Sequence, residues 1–108
     1  MDLFLAIHQG GHASRALVFD RTGALVAEGF ENIRVLHPQE HWVEHDPHEV
    51  LSATRHAIHI AVAQLGSRAQ HIVAAGLATQ RSSIVCWDRE TGAPLSPIIS
   101  WQDRRAAA

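Results

Sequence analysis

Apolar and polar positions change period along this chain, and each change predicts an element. Leu3 to Ile7 and Ala16 to Phe19 are short apolar runs on either side of Gln9-Gly10-Gly11-His12, which predicts a hairpin closed by a glycine-containing turn. Asp20-Arg21-Thr22-Gly23 predicts a second turn, and Ala24 to Ile33 follows with the partial alternation of a third antiparallel strand. Val35 to His45 is irregular and polar, and predicts a loop crossing one edge of the domain. The period then becomes helical. Asp46 is a good N-cap, Pro47 occupies the first helical position, and Glu49 falls three residues after the cap, as in a capping box. Val50, Leu51, Ala57, Ile58, Ala61, Val62 and Leu65 lie on one side of a 3.6-residue period and form an apolar stripe. Thr54 interrupts the stripe, where its hydroxyl can be buried if it bonds back to the carbonyl of Val50. Gly66 supplies the stop.

Beyond the helix, Ile72 to Ala78 is a nearly continuous apolar run, expected of a strand covered on both faces. Ser83 to Trp87 predicts a further strand, closed by the turn Asp88-Arg89-Glu90-Thr91-Gly92. The order is βββαβ, an α/β chain with an α+β start. The pattern by itself admits several α+β arrangements.

Composition narrows the function classes. The 108 residues make one domain or a piece of one, and 46% hydrophobic with 19% charged residues excludes a disordered chain. No apolar run approaches the roughly 20 residues that span a bilayer, and the first residues lack the basic start and apolar centre of a signal peptide, so a cytoplasmic protein without a membrane partner is expected. The single Cys86 permits no internal disulfide and, between Val85 and Trp87, is expected to be a buried strand thiol. Net charge is −2, there is no lysine, and the arginines are scattered except for Arg104-Arg105, so nucleic acid is not an expected partner. Nine histidines raise the question of zinc, through His56 and His59 on the helix or His41, His45 and His48 before it. A zinc site needs a convergent third or fourth ligand, and solvated positions on the polar helix face account for His56 and His59, so no metal site is assigned.

Three segments carry candidate chemistry. In Pro97-Ile98-Ile99-Ser100-Trp101-Gln102-Asp103-Arg104-Arg105, a tryptophan and a dense polar cluster follow an apolar strand, as in the wall of a binding site. Thr79-Gln80-Arg81-Ser82-Ser83 sits at the end of the predicted buried strand, where open α/β sheets place their ligands. By spacing alone Arg81 is equally well a surface charge at a strand end. Trp42-Val43-Glu44-His45-Asp46-Pro47 leads into the helix and is expected to be structural.

Together these segments resemble the N-terminal part of a carbohydrate kinase of the FGGY type, nearest to the glycerol kinases. The resemblance implies a partial ribonuclease-H-like or actin-like ATPase fold with a mixed sheet. It implies that residues 1–108 are the N-terminal portion of the first, sugar-binding domain, with the second, nucleotide-binding domain absent. The implied reaction is phosphoryl transfer from ATP to a sugar or polyol hydroxyl, with Mg2+ as the accompanying ion. Arg81, Ser82, Trp101 and Asp103 then take substrate-binding positions, and Gln9, Gly10, Gly11, His12 and Arg15 take phosphate- or nucleotide-binding ones. His8 replaces the family's metal-holding aspartate, Gly11 and His12 replace two threonines, and Ser82 replaces a glutamate. No residue here matches a catalytic base. The expectations are therefore that the isolated chain is inactive, that ATP and Mg2+ bind it poorly, that its partners are a sugar or polyol and the rest of a kinase chain, and that exposed sheet edges make it a homo-oligomer. A non-catalytic, degenerate kinase-like binding module is the alternative.

Overall fold

The computed structural model describes residues 1–107. Strands β1 (Leu3–Gln9) and β2 (Ala13–Asp20) form the expected hairpin, and β3 (Leu25–Asn32) extends the antiparallel meander. The turn between β2 and β3 follows from its sequence: Asp20 Oδ1 accepts from the Thr22 and Ala24 amides, and Gly23 takes a φ of +84° that other residues resist. A two-residue strand β4 (Glu44–His45) precedes helix α1 (Pro47–Leu65). Asp46 caps α1 by accepting from the His48 amide, and Gly66, with φ +57°, ends it. A 3-10 segment, Gly66–His71, leads into β5 (Ile72–Thr79), which pairs in parallel with β1. The main sheet has the order β3-β2-β1-β5, and a second, two-stranded sheet pairs β4 with β6 (Ile98–Ile99). The sheet is thus mixed, with β5 parallel to β1 beside an antiparallel meander, one of the arrangements the βββαβ order admits.

The core lies between α1 and the inner face of β1, β2 and β3. Leu3, Ala16, Val18 and Ala27 from the strands meet Ala57, Ala61 and Leu65 from the helix. Small residues line the contact, so the helix axis comes close to the sheet. A methyl group built on Gly29 would fall inside the envelope of the Ala57 carbonyl oxygen and lie only 2.8 Å from its carbon. Thr54 is accommodated as expected: its hydroxyl donates to the Val50 carbonyl at 2.8 Å and meets Ser14 Oγ at 3.0 Å.

Several expectations are corrected. The residues of α1 buried against the sheet are Ala53, Ala57, Ala61 and Leu65, whereas Leu51 is exposed, because close approach selects the small side chains on the stripe and leaves a large one at its margin. Glu49 makes no capping box; its carboxylate accepts from the Arg34 amide and Nε instead, which holds it ionised below the usual carboxylate range. β5 is not covered on both faces. It is the edge strand beside β1, α1 lies over β2 and β3, and residues 73–79 are exposed. Ser83 to Trp87 is no regular strand but a segment held by isolated bridges, Ile84 to Ile99 and Trp87 to Pro94, and Cys86 within it is exposed rather than buried. The presumed loop before α1 contains β4, whose pairing with distant β6 no local pattern announces.

Candidate functional site

The carboxyl ends of β1 and β5 are neighbours in the sheet, with Gln9 opposite Thr79, so the first hairpin turn and the segment after β5 meet at one edge. Residues 84 and 99 exchange two backbone hydrogen bonds of 2.9 and 2.8 Å, and this pairing carries Trp101 back to the same edge. Thr79, Gln80, Arg81, Ser82 and Trp101 then line a cleft of about 550 Å³. The indole of Trp101 is exposed into solvent rather than packed in the core, leaving an apolar plate beside hydroxyl, amide and guanidinium groups. That combination suits a polyhydroxylated ligand, whose carbon face rests on the ring while its hydroxyls pair with the polar wall.

A line of hydrogen bonds joins the three parts of this edge. The Trp101 amide donates to Ser83 Oγ at 3.1 Å, and Ser83 donates to Gln80 Oε1 at 2.9 Å. Gln80 Nε2 donates to Gln9 Oε1 at 3.3 Å, and Gln9 Nε2 donates to the Gly10 carbonyl at 2.7 Å. Gln9 is buried, so these partners orient its amide uniquely. Gln80 and Ser83 had no assigned role in the sequence, since only folding shows that they bridge the cleft wall to the hairpin turn. Ser82 sits between them with φ +62°, a left-handed conformation that costs a serine on the order of 1 kcal/mol and marks the segment as one held in place by its neighbours.

The turn itself is tight. The Gly10 amide donates to the Ala13 carbonyl at 2.9 Å, and a methyl group on Gly10 would stand 3.3 Å from both that oxygen and His8 Cε1. A methyl group on Gly11 would lie 4.0 Å from Gln80 Oε1, an ordinary contact distance. Neither glycine takes a positive φ here. His12 is exposed, and its carbonyl accepts from the Ile33 amide at 2.9 Å. Arg15 lies cross-strand from His8 and Phe30, with its guanidinium 5.1 Å above the Phe30 ring and 3.9 Å from Glu28. It does not line the cleft.

Asp103 also stands apart from the cleft wall. Its Oδ2 accepts from the Val43 amide at 2.6 Å, and its two oxygens accept three bonds from Arg105. Arg105 in turn reaches Glu44 Oε2 at 2.6 Å and lies 3.9 Å over the Trp42 ring. This largely buried knot fastens the 100–105 segment to the residues that lead into α1, which gives Trp42-Val43-Glu44 a structural task. The Arg105 side chain holds the Asp103 carboxyl far below the usual carboxylate range, and the two carboxylates push Arg105 further above its own. The histidines do not converge: His56 pairs with Glu31 at 2.8 Å, His45 is buried with Nδ1 on the Arg34 carbonyl, and among the described residues no group of three or more potential metal ligands gathers.

The model of the FGGY family of carbohydrate kinases, N-terminal domain, matches residues 3–108. The chain belongs to the FGGY family of carbohydrate kinases. Among its relatives, the glycerol kinase of Beutenbergia cavernae is 42% identical over 104 residues, which is 96% of this chain and 21% of that protein. The glycerol kinase of Symbiobacterium thermophilum is 43% identical over 103 residues, again 21% of its length. The xylulose kinase of Rhodospirillum rubrum superposes with a TM-score of 0.91 at 19% identity, covering 97% of this chain and 21% of that one. The chain therefore has the mixed α/β fold of the actin-like, ribonuclease-H-like FGGY kinases, and it spans about a fifth of the length of the curated relatives it matches. No helix in the described residues is long and apolar enough to cross a membrane.

Proposed function

We propose that this chain is the sugar- or polyol-binding N-terminal part of an ATP-dependent carbohydrate kinase of the glycerol kinase type. The observation that carries the reading is the cleft of Arg81, Ser82 and Trp101 joined through Gln80 and Gln9 to the Gly10-Gly11 turn, because a kinase must hold the acceptor hydroxyl and the incoming phosphoryl group in register. In this reading Trp101 supports the carbon face of the substrate and Arg81 donates to its hydroxyls. Gln9, Gly10, Gly11 and His12 form the phosphate-facing turn, with Arg15 adding positive charge on the neighbouring strand. Asp103 acts through the segment that bears Trp101, as a positioning residue.

The family's reaction uses ATP with a divalent metal. The residues at this edge do not suit magnesium, a hard ion that prefers oxygen ligands, since His8 offers imidazole and its sheet partners are Arg15 and Ala78 rather than a carboxylate. The isolated chain is therefore proposed to be without phosphotransferase activity and to bind ATP and Mg2+ poorly. Its partners are a sugar or polyol and the remainder of a kinase chain. ADP production that depends on added glycerol and is abolished by Arg81→Ala would overturn the inactivity.

His8, Gly11, His12 and Ser82, each standing where the FGGY pattern has another residue, favour a second reading in which the fold serves as a non-catalytic binding module. Polyol affinity without nucleotide dependence supports that reading, and tight Mg-ATP binding refutes it.

A further inference from the structure

Ser83 joins the two walls of the cleft without lining it. One wall is Thr79 to Ser82 and the other is Trp101. The Ser83 hydroxyl accepts from the Trp101 amide at 3.1 Å and donates to Gln80 Oε1 at 2.9 Å. Among the described residues this is the one hydrogen-bonded link between residues 79–83 and 100–102, and behind it the backbones of Ile84 and Ile99 pair. A side chain that bridges an amide N–H to an amide oxygen must both accept and donate. The half-buried hydroxyl of Ser83 does so, and an aliphatic side chain in its place does not. Arg81 and Ser82 lie between the two anchored residues, and Ser82 is held at φ +62°. Such a conformation persists only where its neighbours over-determine it. The bonds from Gln80 to Gln9 and from Gln9 to the Gly10 carbonyl carry the same linkage on to the hairpin turn.

We propose that Ser83 is a positioning residue: its hydroxyl sets the separation of Arg81 from Trp101 and transmits occupation of the cleft to the Gly10-Gly11 turn. The choice of ligand rests on the polyol-binding reading above, whereas the linkage consists of bonds within the described residues. Its value to a kinase is register between acceptor hydroxyl and phosphoryl group, where a misplacement of about 1 Å costs on the order of a hundredfold in rate.

The test compares Ser83→Thr, which keeps the hydroxyl, with Ser83→Val, which has the shape of threonine without it, in the 108-residue chain. Amide hydrogen exchange is read by 15N NMR at Trp101 and Gly10, and the Gly10 amide and Trp101 indole signals are followed as glycerol is added. Exchange at both amides is expected to be about tenfold faster in Ser83→Val, the factor that one ordinary hydrogen bond is worth, and within about twofold of the parent in Ser83→Thr. Glycerol is expected to shift the indole and Gly10 with one midpoint in the parent and in Ser83→Thr. In Ser83→Val the indole midpoint rises about tenfold and Gly10 no longer responds. A dispersed spectrum verifies the fold of each variant, and Ser83→Ala takes the place of Ser83→Val where the latter does not fold. If Ser83→Thr and Ser83→Val exchange alike at both amides, shape alone explains the position and the inference is overturned. Faster exchange at Trp101 with Gly10 unchanged overturns the transmission to the turn. Glycerol that moves neither signal of the parent chain overturns the polyol reading, and exchange alone then decides the inference.

Discussion

Replacing Gly29 by alanine separates two opposing effects whose signs differ. In a strand interior an alanine is ordinarily favoured over glycine by about 0.5–1 kcal/mol, because the unfolded chain has less freedom to lose. Gly29, however, lies under α1 with the Ala57 carbonyl oxygen in the space that its methyl group would occupy, and with Ala61 N at 3.0 Å. The obstructing atoms are backbone of a regular helix, so no rotamer change relieves them, and α1 must move away from β3. That displacement loosens Ala27, Ala57, Ala61 and Leu65, whose contacts form the core, and forfeits dispersion energy over the whole interface. Overpacking of this kind costs about 3 kcal/mol, at the upper end of the usual range, and outweighs the entropic gain. For a domain of this size the melting temperature should fall by roughly 10–20 °C, measured by circular dichroism. Gly76→Ala is the control, since a methyl group there meets nothing within 4 Å, and it should be neutral or stabilising by about 0.5 kcal/mol. A Gly29→Ala chain that melts at or above the parent temperature would refute the close-approach argument.

Gln80→Leu should sever the line of bonds between Ser83 and Gln9, leaving the buried Gln9 amide short of a partner at a cost of about 1–2 kcal/mol; faster hydrogen exchange at the Gly10 amide, with α1 protection unchanged, is the expected readout. Thr54→Val should destabilise by about 1–2 kcal/mol in urea unfolding, because Ser14 Oγ loses its partner inside the core. Asp103 has a folded-state pKa below its unfolded value, so the stability it contributes is present above the ordinary carboxylate range and is lost as pH falls through and below that range. Asp103→Asn should lower stability at pH 7 and flatten the acid limb of the stability profile, and an unchanged limb would refute the assignment. The uncovered edge strand β5, with Val73 and Leu77 exposed, should drive self-association of the isolated chain, and a monomer mass by light scattering at high concentration would defeat this.

Local signals placed the third strand and α1 nearly to the residue, and found the hairpin with both strands too short, since β1 runs on to Gln9 and β2 begins at Ala13. Each is announced by something short-range: glycine or Asp-led turns, a helix N-cap at Asp46 with Pro47, and a stop at Gly66. The same apolar content misled where burial depends on what lies opposite. Ile72 to Thr79 has the composition of an interior strand, yet its place at the end of the order β3-β2-β1-β5 leaves it exposed in this chain. Ala53 joined the buried stripe and Leu51 left it because the distance between helix and sheet, not hydrophobicity, decided which side chains fit.

For the candidate site the division is similar. The residue types of Arg81, Trp101 and the Gly10-Gly11 turn are readable along the chain, because a strand end, an indole and a glycine pair each suggest their chemistry one at a time. Only the tertiary structure decided that Trp101 comes beside Arg81, through the exchange of backbone bonds between Ile84 and Ile99, and that Gln80 and Ser83 tie both to the turn. It also moved Asp103 from the cleft to a buried partnership with Arg105 and Val43. Hydrophobic period and capping act over a few residues and are written in sequence. Charge pairing and side-chain hydrogen bonding join positions up to 71 residues apart, and they exist only once the strands have chosen their neighbours.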